Sequence, residues 1–145
     1  MQPSITDPER LNPRGLLEHF NRIMKGKTAL NEVVLRRIIS AIYLSLFNYW
    51  SLKNYHKGAR GEGPLQDSFW YASFHEDLLK RGLDHAIYTI YLYRVAADHY
   101  VLNPTKVALT SKPWKGKEMD VEISEEALKR VLEAACDILN MLEQY

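Results

Sequence analysis

The positions of the prolines restrict the fold of this chain more than any other feature. The six prolines are residues 3, 8, 13, 64, 104 and 113, so the stretches 14–63, 65–103 and 114–145 contain none. A proline inside an α-helix costs ~3 kcal/mol, and these stretches are therefore free to form long helices. Hydrophobic residues make up 46% of the chain, which is typical of a globular protein.

Capping residues and glycines divide these stretches into five expected helices. Ser124 is a typical N-cap, and Gly82 follows two basic residues as helix ends favour. Thr28 is the expected cap of the second helix, which ends before "YHKGARGEGP". The expected limits are 13–26, 28–54, 67–81, 84–100 and 124 to the C-terminus.

Two of these helices have no polar face. The runs 38–52 and 86–93 are apolar or weakly polar all round, which is typical of helices that are buried on every side. They predict either a central helix pair with the others outside, or a pair that also forms a subunit interface. We therefore expect an all-α, up-and-down bundle of five helices, forming one domain over residues 1–145 and assembling as a homodimer.

Composition excludes several classes of protein. The net charge is +1, so binding to nucleic acid requires a local basic patch. Cys136 is the one cysteine, which excludes an intrachain disulfide and a multi-cysteine zinc site and fits the reducing cytoplasm. We expect it to be a core thiol. The N-terminus does not resemble a signal peptide, and the longest uncharged run, 38–52, is shorter than the ~20 residues of a membrane span.

The connection 101–123 is too long to be a simple turn. We expect "KVALT" and "EMDVEI" to pair as a short β-hairpin around "SKPWKGK". Lys112, Lys115 and Lys117 lie in this segment with Trp114. Lysines with an exposed aromatic ring bind phosphates and stack bases, which makes the four residues candidates for a nucleic-acid site. The alternative is a solvated basic loop whose tryptophan packs onto the bundle.

Arg94 is a charge within the apolar fourth helix, and such a group must be paired or face a cleft. Asp98 lies four residues later on the same face, so a structural Arg94–Asp98 pair is one interpretation. The other combines Arg94 with His99 in RNA cleavage. A five-residue spacing places these two ~140° apart on a regular helix. They would converge only if the helix loosens near His99 or if two copies of the chain meet.

Two segments resemble the HEPN domain family (higher eukaryotes and prokaryotes nucleotide-binding). They are "LRRIISAIYLSLFNYW" at 35–50 and "YRVAADHY" at 93–100, which contains an Arg-x4-His signature. The resemblance implies a dimeric helical bundle and a metal-independent endoribonuclease of toxin or defence type, without a cofactor. Arg94 would bind the scissile phosphate of RNA and His99 would be the acid–base group, with Asp98 and Tyr100 as helpers.

The same resemblance leaves a second function open. Val95 follows Arg94 where active family members usually carry a polar residue, and "RVAADHY" is similar to the Arg…Ala-Asp-Tyr ending of members without known nuclease activity. The alternative is a non-catalytic HEPN domain that binds nucleic acid, a nucleotide or a protein partner such as a nucleotidyltransferase-type antitoxin.

Overall fold

The computed structural model describes residues 7–58 and 70–145. Within these ranges the chain forms five α-helices and a two-stranded antiparallel sheet, which confirms the expected helical bundle with a small hairpin. A short 3-10 helix, Pro8–Leu11, comes before the first α-helix. The elements are α1 (Arg14–Met24), α2 (Glu32–His56), α3 (Tyr71–Lys80), α4 (Asp84–His99), β1 (Thr105–Ala108), β2 (Glu118–Val121) and α5 (Glu125–Glu143).

Helix capping explains where the observed limits agree with the sequence and where they differ. Ser124 caps α5 as expected, since its side chain accepts a hydrogen bond from the Ala127 amide. The cap of α2 was wrongly predicted as Thr28. Asn31 takes that position, where its extended backbone allows its side-chain oxygen to accept from the Val34 amide at 2.9 Å. The expected start of the third helix, Asp67, lies outside the described residues.

Three helices, rather than the expected pair, form the centre of the bundle. α2, α4 and α5 pack against one another, and their buried side chains belong to one continuous core. The apolar stripe of α5 is buried along its length, because it covers the side of α2 and α4 that a two-helix centre would leave open. No helix among the described residues is long and apolar enough to span a membrane.

Cys136 is exposed, which corrects the prediction of a core thiol. Its neighbour Ala135 and the following Leu139 are fully enclosed in the core. Cys136 lies one step round the helix from them, where α5 turns toward an open groove that Leu17 of α1 also lines. The boundary of an apolar stripe cannot be placed to one residue from periodicity alone.

An amide side chain ties the base of the hairpin to the bundle. β1 and β2 pair antiparallel, with Thr105 opposite Val121. At the base of the hairpin, Asn103 donates to the Ile123 carbonyl and to Glu32 Oε1, both at 2.9 Å, and accepts from the Ile123 amide at 2.7 Å. Asn103 therefore joins the start of α2 to the segment that leads into α5.

A carboxylate near the end of α5 holds the opposite end of the bundle. Glu143 Oε2 accepts from Arg14 Nε at 2.8 Å and from Asn12 Nδ2 at 3.1 Å, and a second bond joins Glu143 Oε1 to the same guanidinium. These contacts, those from Arg14 above all, lower the pKa of Glu143 to about 2. The ionised carboxylate therefore stabilises the attachment of α1 to α5.

We predict that Glu143→Gln lowers the free energy of unfolding at neutral pH by about 1 kcal/mol, because the pair is partly exposed. Since the folded-state pKa is depressed, this stability is present above the unfolded value and is lost as pH falls toward 2. Melting curves of wild type and variant, measured from neutral to acidic pH, should therefore converge in acid. Glu133→Gln, an exposed position of the same helix, is the control; a melting-temperature difference that does not shrink in acid would contradict the prediction.

Candidate functional site

Two arginines at the start of α2 cap the C-terminal end of α4. Arg36 Nη1 donates to the carbonyls of Ala96 and Ala97 at 3.1 and 3.0 Å and also to that of Tyr100, and Arg37 Nη2 donates to Ala97 at 3.3 Å. The last carbonyls of a helix have no partner within the helix and carry its negative dipole end. The two guanidinium groups satisfy both requirements and fix this end of α4 to α2.

The expected ion pair between Arg94 and Asp98 is present. Arg94 Nε lies 2.9 Å from Asp98 Oδ2, and each side chain is 16% exposed. Asp98 also accepts a hydrogen bond from Ser40 Oγ at 3.1 Å and lies 3.6 Å from Arg37 Nη2. Despite this short distance, Arg94 Nε has no hydrogen-bond partner among the described residues, which means that the pair is close but poorly aligned. Asp98 Oδ1 has no hydrogen-bond partner among these residues either. Asp98 thus balances two cations from two helices.

Aromatic rings form the rest of the environment of Arg94. The centre of its guanidinium lies 5.3 Å from the ring centroid of Tyr43 on α2 and 5.0 Å from that of Tyr71 on α3. Both distances are within the range of cation–π attraction. The guanidinium is thereby held by one carboxylate and two rings, which is the kind of fixed cation that a phosphate-binding site requires.

His75 is the residue of this region that the sequence reasoning did not assign to it. It is fully buried, and its Nε2 lies 2.7 Å from Tyr43 Oη. Burial, assisted by the charge of Arg94, lowers its pKa to about 3, so the imidazole is neutral at physiological pH. A signal was available, since Tyr71, Phe74, His75 and Leu78 follow the spacing of the buried face of a helix.

His99 is exposed at the last position of α4. The helix does not loosen there, because the Tyr100 amide still bonds to the Ala96 carbonyl at 3.2 Å. A regular helix keeps Arg94 and His99 ~140° apart around its axis. Arg94 and His99 of one chain therefore do not converge through a loosened helix end. A site that contains both residues would need the His99 of a second copy.

The hydroxyl of Tyr100 is engaged with β1. It accepts a hydrogen bond from the Ala108 amide at 3.0 Å and lies 3.4 Å from the Ala108 carbonyl. Tyr100 thus joins the end of α4 to the hairpin and is placed there as a structural tie.

The tryptophan of the hairpin loop packs onto the bundle, which was the second of the two alternatives for this segment. Trp114 is 7% exposed and packs onto the bundle, with ring centroids 5.3 Å from His75, 5.5 Å from Tyr88 and 5.7 Å from Tyr91. Its face is therefore not open for stacking on a base. The three lysines of the expected site, by contrast, are exposed: Lys112, Lys115 and Lys117.

Large aliphatic side chains are exposed at the same end of the bundle as His99. Val101 is 89% exposed and Leu102 is 71% exposed directly after α4. Val33 and Val34 are exposed at the start of α2, which Arg36 ties to the end of α4. Neighbouring exposed apolar residues are typical of surfaces that bind another protein.

Comparisons with known proteins add no relative: no family model, no curated protein and no solved structure matches the chain. In the two described ranges, no group of three or more His, Cys, Asp or Glu side chains is arranged to hold a metal ion.

We predict that Asp98→Asn lowers the free energy of unfolding by about 2 kcal/mol, because it leaves Arg94 largely buried without a counterion. Asparagine keeps the shape and can still accept from Ser40, so the change isolates the charge. The matched control is Glu126→Gln, which breaks an exposed pair with Arg130 at 3.7 Å and should cost less than about 0.5 kcal/mol. Chemical denaturation of the three proteins makes the comparison; equal losses for the two variants would show that the Asp98 charge is dispensable.

Proposed function

We propose that this chain is a HEPN-like, metal-independent endoribonuclease of toxin or defence type whose sites are assembled from two copies. Arg94 binds the scissile phosphate in this proposal, and His99 is the acid–base group. The observation that carries it is the exposure of His99 at the end of α4, the helix whose last turns also hold Arg94 in its pair with Asp98.

The chemistry needs two kinds of group. One takes the proton from the 2′-hydroxyl of the ribose or gives a proton to the leaving oxygen, and histidine suits this role because its usual pKa is near neutrality. The other is a cation held in place before reaction, which stabilises the charge that develops on the phosphorus oxygens. Arg94 supplies that cation, and its carboxylate and aromatic neighbours limit its movement.

Two copies are required because α4 directs Arg94 and His99 to different sides. Arg94 faces α2 and α3, where Tyr43 and Tyr71 lie, whereas His99 faces solvent. The exposed Val101 and Leu102 give a second copy an apolar surface next to His99. A two-fold arrangement about this surface brings the histidine of each copy toward the arginine of the other. Lys112, Lys115 and Lys117 are then candidates to bind the remaining RNA backbone.

A second candidate function is a non-catalytic domain that binds nucleic acid, a nucleotide or a protein partner such as a nucleotidyltransferase. The ion pair of Arg94 with Asp98 favours it, since that pair already occupies the arginine within its own chain. Val95 after Arg94 favours it as well. Under this function Arg94→Ala lowers the melting temperature, and His99→Ala has little effect on any property.

We predict that the purified protein cleaves single-stranded RNA in the presence of EDTA and that His99→Ala reduces the rate about 100-fold, the scale of general acid–base catalysis. Because His99 is exposed, the variant should keep the melting temperature of the wild type. His85→Ala, an exposed histidine at the start of the same helix, is the control and should cleave normally. Equal cleavage by wild type and His99→Ala would exclude the nuclease proposal, and absence of cleavage by wild type would favour the non-catalytic domain.

A further inference from the structure

A line of hydrogen bonds runs from Tyr43, one of the two rings that face the Arg94 guanidinium, to the basic loop of the hairpin. The imidazole of His75, fully buried in α3, forms its centre. Nε2 lies 2.7 Å from Tyr43 Oη, and Nδ1 lies 3.3 Å from Ser111 Oγ. His75 therefore contacts both Tyr43, one of the two rings that face Arg94, and Ser111 of the loop that carries the exposed lysines.

The hydrogen bond made by Ser111 indicates which atom donates and which accepts at each step of this line. Ser111 Oγ donates to the Lys112 carbonyl at 3.2 Å, so its own proton is used there. With that proton used, the same oxygen can accept from His75, and in this arrangement the imidazole carries its proton on Nδ1. The neutral imidazole has one protonated nitrogen, and Nε2 is consequently an acceptor for the Tyr43 hydroxyl proton. Every donor along the line finds an acceptor without any charge being buried.

The surrounding rings prevent the imidazole from turning. The centroid of His75 lies 4.4 Å from that of Tyr91 and 5.3 Å from that of Trp114. Tyr43 is in turn fixed by its hydroxyl bond and by an edge-on contact with Tyr71, with centroids 5.5 Å apart. Of the two rings that face the Arg94 guanidinium, Tyr43 is therefore held by His75 directly, and Tyr71 packs against Tyr43.

We infer that His75 is a positioning residue. Its hydrogen bond to the Tyr43 hydroxyl orients the Tyr43 ring and so fixes the guanidinium of Arg94. Its contact with Ser111 attaches the basic segment 111–117 to the same group of side chains. The consequence for RNA rests on the proposed function, whereas the effect on the Arg94 side chain does not.

Two amide substitutions separate the two contacts of His75. The amide of glutamine reaches the position of Nε2 and keeps a partner for Tyr43, and the shorter asparagine places its amide near Nδ1 and keeps a partner for Ser111. Both replace a ring with an amide in the same buried place and should lower the melting temperature to a similar extent. A difference between them in the behaviour of Arg94 therefore reports positioning rather than general loss of stability.

Nitrogen-15 NMR of the full-length protein tests the geometry directly. We expect His75 to stay neutral with its proton on Nδ1 between about pH 5 and pH 8, where an ordinary histidine titrates. The Nε–H signal of Arg94 should remain at its wild-type position in His75→Gln and should shift or broaden in His75→Asn. An Nε2-protonated or titrating His75, or an Arg94 signal that is the same in both variants, would overturn the inference.

RNA measurements then separate this inference from the proposed function. Fluorescence anisotropy with a labelled single-stranded RNA whose 2′-hydroxyls are blocked by 2′-O-methyl groups, and which therefore is not cleaved, should show about tenfold weaker binding for His75→Asn than for His75→Gln, equivalent to ~1.4 kcal/mol. If Arg94→Ala itself leaves RNA binding unchanged, the proposed function fails while the NMR result still decides the positioning role. If Arg94→Ala weakens binding and the two His75 variants bind equally, the positioning role fails.

Discussion

The carboxylate of Asp98 is the group on which this end of the molecule depends. It is paired with Arg94 of its own helix, lies near Arg37 of α2, and accepts a hydrogen bond from Ser40. A largely buried guanidinium is costly without such a partner. The carboxylate of Asp98 lies near Arg37, and Glu32 pairs with Arg36 at 3.0 Å. Both arginines of α2 are thereby balanced, and they donate to the carbonyls at the end of α4. The capped end in turn fixes where His99 meets solvent.

The sequence predicted most of the fold because its signals are local. Proline-free stretches and the Ser124 cap act through neighbouring residues. The Arg94–Asp98 pair was predictable for the same reason, since four residues make one turn of a helix. Thr28 and Asn31 are both good caps, and the choice between them depends on where the chain leaves α1, which a local pattern does not encode.

The rest of the site depends on contacts between distant segments. His75 lies 32 residues from Tyr43 and 36 from Ser111, and no spacing rule joins residues so far apart in the chain. The burial of Trp114 follows from the path of the hairpin over α4, which the composition of the loop does not reveal. The exposure of Cys136 depends on a distant segment in the same way, because the position of α1 beside α5 determines which residues at the edge of the apolar stripe are buried.

We propose that Arg94 of one copy works with His99 of another. Mixing Arg94→Ala protein with His99→Ala protein tests it most directly, with RNA cleavage in EDTA as the readout. If sites are shared, mixing inactive proteins should restore about one quarter of wild-type activity, since half of randomly formed dimers are mixed and each contains one intact pair. Mixtures that stay as inactive as their components, while wild-type protein cleaves, would contradict a site shared between two copies.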